Sequence, residues 1–568
     1  MRVCVVGAGV SGLPSIKACK EQGLEVVCYE KTSDLGGLWN YRPNQKDIGG
    51  TVMASTVVNT SKEIMAYSDF PPPEEWPNFM HHSKVNEYLH TYADHFDLKR
   101  HIRFNTPVKH ISEEGDGFKV ELENGEVNHF DKVFLCTGHH AEPKYPHLKD
   151  LEKFKGRVMH AYDYRDSKGF EGKNVFVLGI GNSALDVSVD LAKIAKSVTL
   201  STRRGTWIFN RVSLGGMPYD ILYMSRFYSW LMNTAPWTVV NDYMEHMVQQ
   251  RMDHDLYGLR PNHRFFQQHP AVSDALANLV CSGFITITDD IDTFTEDKVI
   301  VKSGKSFDCD VLILCTGYTF GFPYLDKTII NIEKDHEVPL YKFVFPPKNP
   351  NIAVIGSIQP IGSIAPISEI QARWVTQVFV GNAKLPSEKE MWKDIDLKRR
   401  VMKKRYFASE KHTMQVDFVK YMDEIATMVG CKPNLWKVLF SNPSFALRLF
   451  KGANVPYVYR LVGPNKWDGA YEAVCTVPQR VKKPLKTRQC RMQKHKQPGV
   501  TDEYFRYASM KAIAVWSTVI FMAGLVTFCS GSAGMSPLAY CSYLTIFFFI
   551  FSFILMWFDF EYNMTTII

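Results

Sequence analysis

A glycine-rich turn near the start of this 568-residue chain is the first feature that suggests chemistry. It reads G-x-G-x-x-G, with Gly7, Gly9 and Gly12 in the glycine positions and Ser11 before the last. In such a turn the first glycine permits a tight bend, the second lets the backbone approach a pyrophosphate, and the third lets a helix pack on a strand. The helix N-terminus then faces the phosphates with its partial positive charge. The turn predicts a dinucleotide site.

The segments around this turn favour the same interpretation. An apolar strand is expected at 2–7, an amphipathic helix at 13–22 and a second strand at 25–30. That second strand ends in Glu30, where a ribose hydroxyl needs an acceptor. The alternative is a glycine turn that binds nothing, but the register of strand, helix and acid favours binding.

A short segment downstream, Gly36-Gly37-Leu38-Trp39, allows two interpretations. Glycines at this point would let the chain pass close to a ring system, so Gly37, Leu38 and Trp39 are candidate cofactor contacts. A plain turn followed by a core tryptophan is the other interpretation, and the pattern alone leaves both open.

A second glycine-rich turn, within a strand–turn–helix unit at roughly 173–204, repeats this pattern with Ala184 in the third glycine position. A strand precedes it and a helix is expected to follow. The candidate contacts are Gly179, Gly181, Asn182, Ser183 and Ala184.

The strand expected at 197–201 distinguishes the second site from the first, because no acid follows it. It leads into Arg203 and Arg204, and Arg211 is a further candidate. An acid suits a bare ribose, whereas arginines suit a 2′-phosphate. A solvated loop is the alternative role for the arginine pair. The two sites together predict FAD in the first and NADPH in the second, and hence hydride transfer between them.

Composition excludes several other classes of protein. The twelve cysteines are scattered without a C-x-x-C pair, which argues against a disulfide scaffold, a zinc site and a dithiol redox centre. No convincing metal cluster is found. The net charge of +7 comes largely from a basic stretch near the C-terminus, so no nucleic-acid partner is expected.

Between the two glycine turns lies Phe154-Lys-Gly156-Arg-Val-Met-His160-Ala-Tyr-Asp-Tyr164, which is F-x-G-x-x-x-H-x-x-x-Y. With Gly36–Trp39, Asn59-Thr60-Ser-Lys-Glu63 and the run 359–369, it resembles the animal microsomal flavin-containing monooxygenases. The resemblance covers residues 1 to roughly 440, and the run 201–212 is closest to the vertebrate fifth isoform of that family.

This resemblance implies a function. NADPH would reduce FAD, O2 would add to the reduced flavin, and the resulting hydroperoxide would oxygenate a soft nucleophile of a small molecule, such as an amine nitrogen or sulfur. Baeyer–Villiger oxygenation of ketones and an uncoupled NADPH oxidase that produces hydrogen peroxide remain alternatives, as does a flavin-binding membrane scaffold without turnover.

The resemblance also implies roles for single residues. Asn59 would lie at the reactive edge of the flavin as the catalytic residue, with Thr60 beside it. An amide suits this position because it donates a hydrogen bond without supplying a proton. The alternative for Asn59 is a turn cap. His160 is a general base or, as we favour, a structural histidine, and Gln359 is a substrate-side candidate.

The C-terminal part carries a predicted membrane anchor. A basic stretch at 480–496 precedes apolar runs at 512–529 and 537–558, and about 18 or more apolar residues suffice to cross a bilayer. The family usually ends in one such run, so the number of spanning helices is open. We expect membrane lipid as a partner, catalytic domains on the cytosolic side of the endoplasmic reticulum, and a possible homo-oligomer. A second hydrophobic contact could lie at 214–240, although core packing is the favoured role there.

The expected fold is α/β, with two Rossmann-like dinucleotide-binding domains, for FAD and NADPH, and a C-terminal hydrophobic membrane anchor. The FAD-binding domain is expected in two parts, 1–150 and a returning part at 319–440, with the NADPH-binding domain between them at 151–318. A C-terminal region with the basic linker is expected at 441–510, followed by an anchor of one or two helices at 511–558.

Overall fold

A computed structural model describes residues 1–44, 49–138, 142–213, 215–319, 321–330, 338–406 and 414–488. The predicted anchor at 511–558 and most of the basic linker lie outside the described residues. Within the described part of the chain, no helix is both long and apolar enough to cross a membrane. All helices and strands given below belong to the unit Met1–Leu485, and the last described residues, 486–488, belong to a second unit.

The first sheet has five parallel strands. Its central strand is Arg2–Val6, which is almost entirely buried because four of its five residues are valine or cysteine. The strand order across the sheet is Ile352–Val354, Lys132–Leu135, Arg2–Val6, Glu25–Tyr29 and Ile102–Arg103. The chain therefore leaves this sheet after residue 135, folds a second sheet, and returns to add its edge strand at 352–354.

The second sheet repeats this arrangement with five parallel strands, centred on Asn174–Leu178. Its order is Ile285–Thr288, Ser197–Ser201, Asn174–Leu178, Val311–Leu314 and Arg157–His160. Strands buried on both faces read as continuous apolar runs, which is why 174–178 and 311–314 lack polar alternation. The prediction of an α/β fold is confirmed.

Smaller sheets and helices surround these two layers. Two three-stranded antiparallel sheets comprise Val108–Glu114, Gly117–Leu122 and Val127–Phe130, and Ile291–Phe294, Lys298–Val301 and Ser306–Asp308. Three pairs of short strands are Ile208–Phe209 with Ala271–Val272, Glu142–Pro143 with Tyr318–Thr319, and Gln359–Ile361 with Gln415–Asp417. The α-helices are Gly12–Glu21, Lys62–Met65, His82–His95, Asn182–Leu191, Tyr219–Tyr223, Arg226–Thr234, Trp237–Gln249, Leu276–Cys281, Ile364–Phe379, Glu388–Arg405, Phe418–Val429, Leu435–Ser441, Pro443–Lys451 and Ala470–Lys482. The 3₁₀ turns are Gly37–Trp39, Lys99–His101, Leu151–Lys153, Phe265–Gln267, Pro456–Arg460 and Lys483–Leu485.

A buried ionic cluster joins Arg460, in the C-terminal part of the described chain, to Glu369 on the helix Ile364–Phe379 and to Asp69. Arg460 is only 1% exposed and lies 2.9 Å from Glu369 and 3.0 Å from Asp69. Burial opposes ionisation of Asp69, but Arg460 and Lys17 outweigh it and hold the pKa of that carboxyl below its usual value. A buried arginine needs such partners, because removal of one would leave an uncompensated charge in the interior.

Candidate functional site

A cavity of about 1950 Å³ opens beside the carboxyl ends of the strands in the second sheet. In parallel sheets this is the side on which ligands bind. Its lining includes the following predicted residues: Asn59, Thr60, His160, Gly179, Gly181, Asn182, Ser183, Arg203, Arg204, Arg211 and Gln359. Ala184 is fully buried behind this wall. The remaining candidates lie outside the cavity lining, around the first glycine turn: Gly7, Gly9, Ser11, Gly12, Glu30, Gly37, Leu38 and Trp39.

The first glycine turn leaves no room for side chains. Gly7 has a φ of +98°, and a Cβ on Gly12 would lie only 1.8 Å from the Gly7 carbonyl oxygen. The helix Gly12–Glu21 therefore starts directly against the strand, with no side-chain cap and no acid in its first turn. Free backbone N–H groups and the helix dipole both favour a bound anion there, so the residues fit the pyrophosphate of FAD.

Glu30 stabilises the loop around this turn. It is buried, and its Oε2 accepts a hydrogen bond of 2.7 Å from the backbone N–H of Ala8. Its Oε1 accepts two more from the backbone and hydroxyl of Thr32, at 2.9 and 2.7 Å. Each carboxylate oxygen has two lone pairs, so Glu30 retains acceptor capacity for a ribose hydroxyl while it fixes the turn.

The segment at 36–39 crosses the first glycine turn closely. A Cβ on Gly37 would lie 3.2 Å from the Gly9 Cα, and Gly37 has a φ of +55°. Trp39 packs against the small apolar cluster that contains Val58 and Met65, so it joins this segment to the chain around Asn59. Leu38 is partly exposed, and Ser11 is tied by its hydroxyl to Ser368 at 3.0 Å.

The second glycine turn faces the cavity. Gly179 has a φ of +125°, and a Cβ there would lie 2.6 Å from the Cys315 carbonyl oxygen. A Cβ on Gly181 would meet nothing within 4 Å, so internal packing does not require this glycine. The space that it leaves open lies on the cavity side, where the helix Asn182–Leu191 begins without a side-chain cap or an acid in its first turn. The residues therefore fit a dinucleotide phosphate.

The display of the arginine pair depends on the next turn. The hydroxyl of Thr202 accepts a hydrogen bond of 3.0 Å from the Gly205 N–H. Gly205 has a φ of +67°, and a Cβ there would lie 2.3 Å from the Leu259 carbonyl oxygen. This closed turn projects Arg203 and Arg204 outward at the cavity wall, where both are exposed.

Arg211 has a different environment. Its backbone N–H donates to Asp274 Oδ1 at 3.0 Å, and its Nε lies 3.5 Å from Asp274 Oδ2. Burial raises the pKa of the nearby Asp186 carboxyl to about 6, although the charge of Arg211 lowers it. Two acids thus compete for Arg211, which makes it a weaker candidate for a phosphate than Arg203 and Arg204.

The buried side chains that directly follow the turn at Asn59 and Thr60 hold it in place. Lys62 is fully buried and donates to three backbone carbonyls, including that of Trp76 at 2.7 Å. Glu63 is also fully buried and pairs with Arg480 at 3.0 Å. These anchors leave the half-buried amide of Asn59 at the cavity wall.

Asp220 holds the same turn from the other side, and the sequence patterns did not identify it. Its Oδ2 accepts a hydrogen bond of 2.5 Å from the Ser61 backbone N–H. Its Oδ1 and the Ser61 hydroxyl are buried and lack a hydrogen-bond partner among the residues that the structure describes. Burial raises the pKa of Asp220 to about 6, although the Ser61 N–H lowers it. The titratable carboxyl of Asp220 therefore lines the cavity and is hydrogen-bonded to Ser61, two residues after Asn59 in the chain.

His160 and Gln359 also line the cavity. His160 ends the edge strand Arg157–His160, buried between the rings of Tyr145 and Tyr318, each with its centroid 5.5 Å away. Burial lowers the pKa of its imidazole. Gln359 begins a two-stranded pair with Gln415, and its backbone N–H donates to the Met414 carbonyl at 2.8 Å.

Most of the remaining cavity wall is apolar. Aromatic and methionine side chains predominate on the helices and loops that follow the second glycine turn: Phe209, Tyr219, Tyr223, Met224, Tyr228, Met232, Trp237, Met244, Phe265 and Phe266. Such walls exclude water and bind apolar molecules with little demand for one shape, because methionine adapts to its contacts.

The chain matches one family model over residues 1–526, described as flavin-binding monooxygenase-like. It is 44% identical over 500 residues to flavin-containing monooxygenase 5 of Homo sapiens, covering 86% of this chain and 93% of that protein. It is 41% identical over 501 residues to an N-oxide-forming dimethylaniline monooxygenase 2 of Rattus norvegicus, with the same coverage. The chain belongs to this family and is a flavoprotein monooxygenase, which confirms the predicted family, the enzyme class and a flavin cofactor.

Solved structures share the fold. S-allyl-L-cysteine S-oxygenase from Allium sativum has a TM-score of 0.59 at 22% identity, covering 85% of this chain and 98% of that one. Cyclohexanone monooxygenase from Rhodococcus sp. Phi1, bound to NADP+, has a TM-score of 0.54 at 17% identity, covering 76% and 97%. The predicted combination of FAD with NADPH agrees with these comparisons.

Removal of the arginine pair tests the coenzyme site. A charge-assisted hydrogen bond contributes about 1.5–3 kcal/mol, so Arg203→Ala with Arg204→Ala should raise the KM for NADPH about tenfold or more. The KM for NADH should change little, since NADH has no 2′-phosphate. Steady-state kinetics with both coenzymes measure the ratio. Lys99→Ala with Arg100→Ala, a pair of adjacent cations away from the cavity of which the first is half-buried and the second exposed, is the control. Unchanged selectivity in the double variant would move the phosphate site elsewhere, for example to Arg211.

Titration of Asp220 should appear in the pH dependence of stability. Because the pKa of Asp220 in the folded protein, about 6, exceeds the ordinary 3.8, the folded protein retains this proton to a higher pH than the unfolded chain does. Relative to Asp220→Asn, which cannot ionise, the wild type should lose stability as the pH rises from 3.8 to about 6 and lose no more above that. The full difference corresponds to about 3 kcal/mol.

Thermal unfolding of the FAD-loaded protein across this pH range measures the effect. Asp255→Asn, at an exposed carboxyl paired with Arg260, serves as the control. Its difference in stability from the wild type should not follow the pH dependence expected for Asp220→Asn. Parallel pH curves for wild type and Asp220→Asn would contradict the raised pKa.

Proposed function

We propose that the protein is an NADPH- and O2-dependent flavin monooxygenase that oxygenates soft nucleophiles, the amine nitrogen or sulfur atoms of small apolar molecules. The observation that carries this proposal is the shared cavity. The second glycine turn, the arginine pair and the Asn59–Thr60 turn all line it. A nicotinamide nucleotide held at Gly181 and Arg203 would therefore lie in the same space as the amide of Asn59 and the substrate.

The first glycine turn, with Glu30, would hold FAD, and the second, with Arg203 and Arg204, would hold NADPH. When bound, NADPH would supply, through FAD, the two electrons that reduce one oxygen atom of O2 to water while the other enters the substrate. The tasks left to the chain are to bind, to orient and to exclude water.

Asn59 suits the position closest to the reacting oxygen. Its amide can donate a hydrogen bond to a bound oxygen species but cannot protonate it. Asn59 would therefore stabilise that species without promoting release of hydrogen peroxide. Asp220, which binds the backbone of this turn, would hold Asn59 in position. The apolar wall would exclude the water that competes with the substrate.

The apolar lining supports the proposed substrate class. Aromatic and methionine residues favour a neutral, bulky molecule over a small charged one. The names of similar proteins support attack by nitrogen and sulfur, since one relative forms N-oxides and one similar structure is an S-oxygenase.

Replacement of Asn59 tests the proposal. Asn59→Ser should leave FAD bound, because both glycine turns are untouched, but should divert NADPH oxidation from product to hydrogen peroxide. The measurement is product and peroxide formed per NADPH, with a thioether, a tertiary amine and a ketone as substrates. Asn278→Ser, at an exposed position outside the cavity, is the control. Normal coupling in Asn59→Ser would overturn the catalytic role. Product from the ketone alone, or only peroxide from the wild type, would overturn the substrate class.

We also propose that apolar runs within 511–558 anchor the protein in the endoplasmic reticulum membrane, with the catalytic part facing the cytosol. A chain that ends before Lys511 should still bind FAD, and high salt should release it from membranes, while the full-length protein stays bound. Flotation of both forms in a density gradient with and without salt is the measurement. Release of the full-length protein by salt would contradict the anchor.

A further inference from the structure

Asp220 differs from the other acids in the cavity wall. Of the described residues that line the cavity, four are acids, and Asp220 is the only buried one, with 8% of its surface exposed. Asp290 and Asp417 pair with basic side chains at 2.8 and 2.7 Å, and Asp292 is exposed. Asp220 Oδ1 has no hydrogen-bond partner in the described part of the chain. This oxygen can therefore accept a hydrogen bond from a ligand in the cavity.

The charged side chains packed around Asp220 have other partners. The helix Lys62–Met65 contacts the helix Tyr219–Tyr223, and the helix Arg226–Thr234 follows it in the chain. The charged residues of these helices and of the preceding loop are bound as follows: Lys62 to backbone carbonyls, Glu63 to Arg480, Arg211 to Asp274, and Arg226 to Asp423. An ionised Asp220 thus has no counter-charge among the described side chains around it. A buried charge is stable only when it is paired.

Aromatic rings stand in series beside this carboxyl. Tyr223 follows Asp220 by three positions, so the two side chains share one side of the helix. The ring centroid of Tyr219 lies 4.7 Å from that of Phe209 and 5.4 Å from that of Tyr223. The centroids of Tyr223 and Tyr228 are 4.8 Å apart, and all four rings line the cavity. Ring faces attract cations, and aromatic cages are the usual recognition sites for alkylated ammonium groups.

We propose that Asp220 and these rings bind the ammonium group of a protonated amine substrate, and that Asp220 is the base that removes its proton before oxygenation. This inference rests on the proposed function, because it concerns the amines among the substrates. An amine reacts with an electrophilic oxygen through the nitrogen lone pair, which the proton occupies in an ammonium ion. In the step, the N–H bond breaks, its electron pair stays on nitrogen, and the proton forms an O–H bond at Oδ1. Ammonium and carboxylate thereby become a neutral amine and a neutral carboxylic acid, without an oxidant or reductant.

The hydrogen bonds of Asp220 place this step next to the proposed site of oxygenation. Its Oδ2 accepts from the Ser61 N–H, two residues after Asn59, which leaves Oδ1 for the substrate. The substrate class is then an apolar body with one basic nitrogen. The apolar wall takes the body, and the nitrogen is neutral when it reacts. Thioethers carry no such proton and do not need this step.

Calorimetric binding of benzyltrimethylammonium to the FAD-loaded, full-length protein tests the ammonium site without turnover. Asp220→Asn, which can still accept the Ser61 N–H, should raise the Kd of this ion about tenfold or more at neutral pH, because a charge-assisted contact is lost. Asp292→Asn, at the exposed acid of the same wall, is the matched control and should change the Kd less than about twofold.

The pH dependence of this binding is a second measurement on the wild type alone. The ion has a fixed charge, so any pH dependence comes from the protein. Burial raises the pKa of Asp220 to about 6, so the Kd should rise as the pH falls through about 6 and the carboxylate is protonated. His160 and His269 also line the cavity. Asp220→Asn retains both histidines, so loss of the pH dependence in this variant assigns it to Asp220.

Two tertiary amines of similar shape test the proton transfer. N,N-dimethylbenzylamine is protonated at neutral pH, whereas N,N-dimethylaniline is neutral because its lone pair is delocalised into the ring. Asp220→Asn should lower kcat/KM for the first about tenfold or more relative to the second. A purely structural effect on the Asn59 turn would lower both values equally. In the variant, kcat/KM for dimethylbenzylamine should rise about tenfold per pH unit below the pKa of the amine, because only the free amine reacts.

The outcomes separate this inference from the proposed function. Equal losses for the two amines would overturn the role of Asp220 as a base. Absent binding of benzyltrimethylammonium, or binding with the same Kd in wild type and Asp220→Asn, would overturn the ammonium site. Failure of the wild type to oxygenate dimethylaniline and methyl phenyl sulfide would overturn the proposed function, while the binding measurement still decides on the ammonium site. FAD content is measured on every sample and should stay at the wild-type value.

Discussion

The arrangement of the site depends on one steric constraint that occurs twice. In each large sheet, the first glycine of the turn passes over the carbonyl oxygen of the cysteine that directly follows the neighbouring strand. A Cβ on Gly7 would lie 2.8 Å from the Cys136 oxygen, and one on Gly179 would lie 2.6 Å from the Cys315 oxygen. Real side chains do not tolerate such contacts, so only glycine allows the chain to turn there. These two turns position the N-termini of both helices, where the phosphate sites are predicted.

The residues proposed to approach the substrate are positioned differently, by contacts between distant parts of the chain. The buried side chains of Lys62 and Glu63 hold the Asn59 turn in place, and so does the hydrogen bond from Ser61 to Asp220. Asp220 comes from the helix Tyr219–Tyr223, which lies between the strands Ser197–Ser201 and Ile285–Thr288 of the second sheet, so distant parts of the chain hold this turn. A carboxyl buried at such a junction is costly, and such costs are usual at functional sites.

The segment between the second glycine turn and the returning edge strand at 352–354 joins several properties of the protein. Its helices supply the aromatic and methionine wall of the cavity, and the helix Arg226–Thr234 also carries Trp230 on the outside. Apolar residues on both sides of one helix are uncommon unless each side meets an apolar environment. The cavity supplies that environment on one side of this helix.

The sequence by itself determined the α/β fold, the two glycine turns and the family, since these rest on local steric and periodic patterns. A glycine needed for a bend, an apolar strand and an arginine pair after a strand are each recognisable within a few residues. Glu30 and the arginine pair were found in this way, and their ligands, like the membrane anchor, stay predictions. Only the tertiary structure identified Asp220, whose contact with Ser61 spans 159 positions of the chain. Its burial and raised pKa arise from residues that no local pattern connects, because folding alone brings them together.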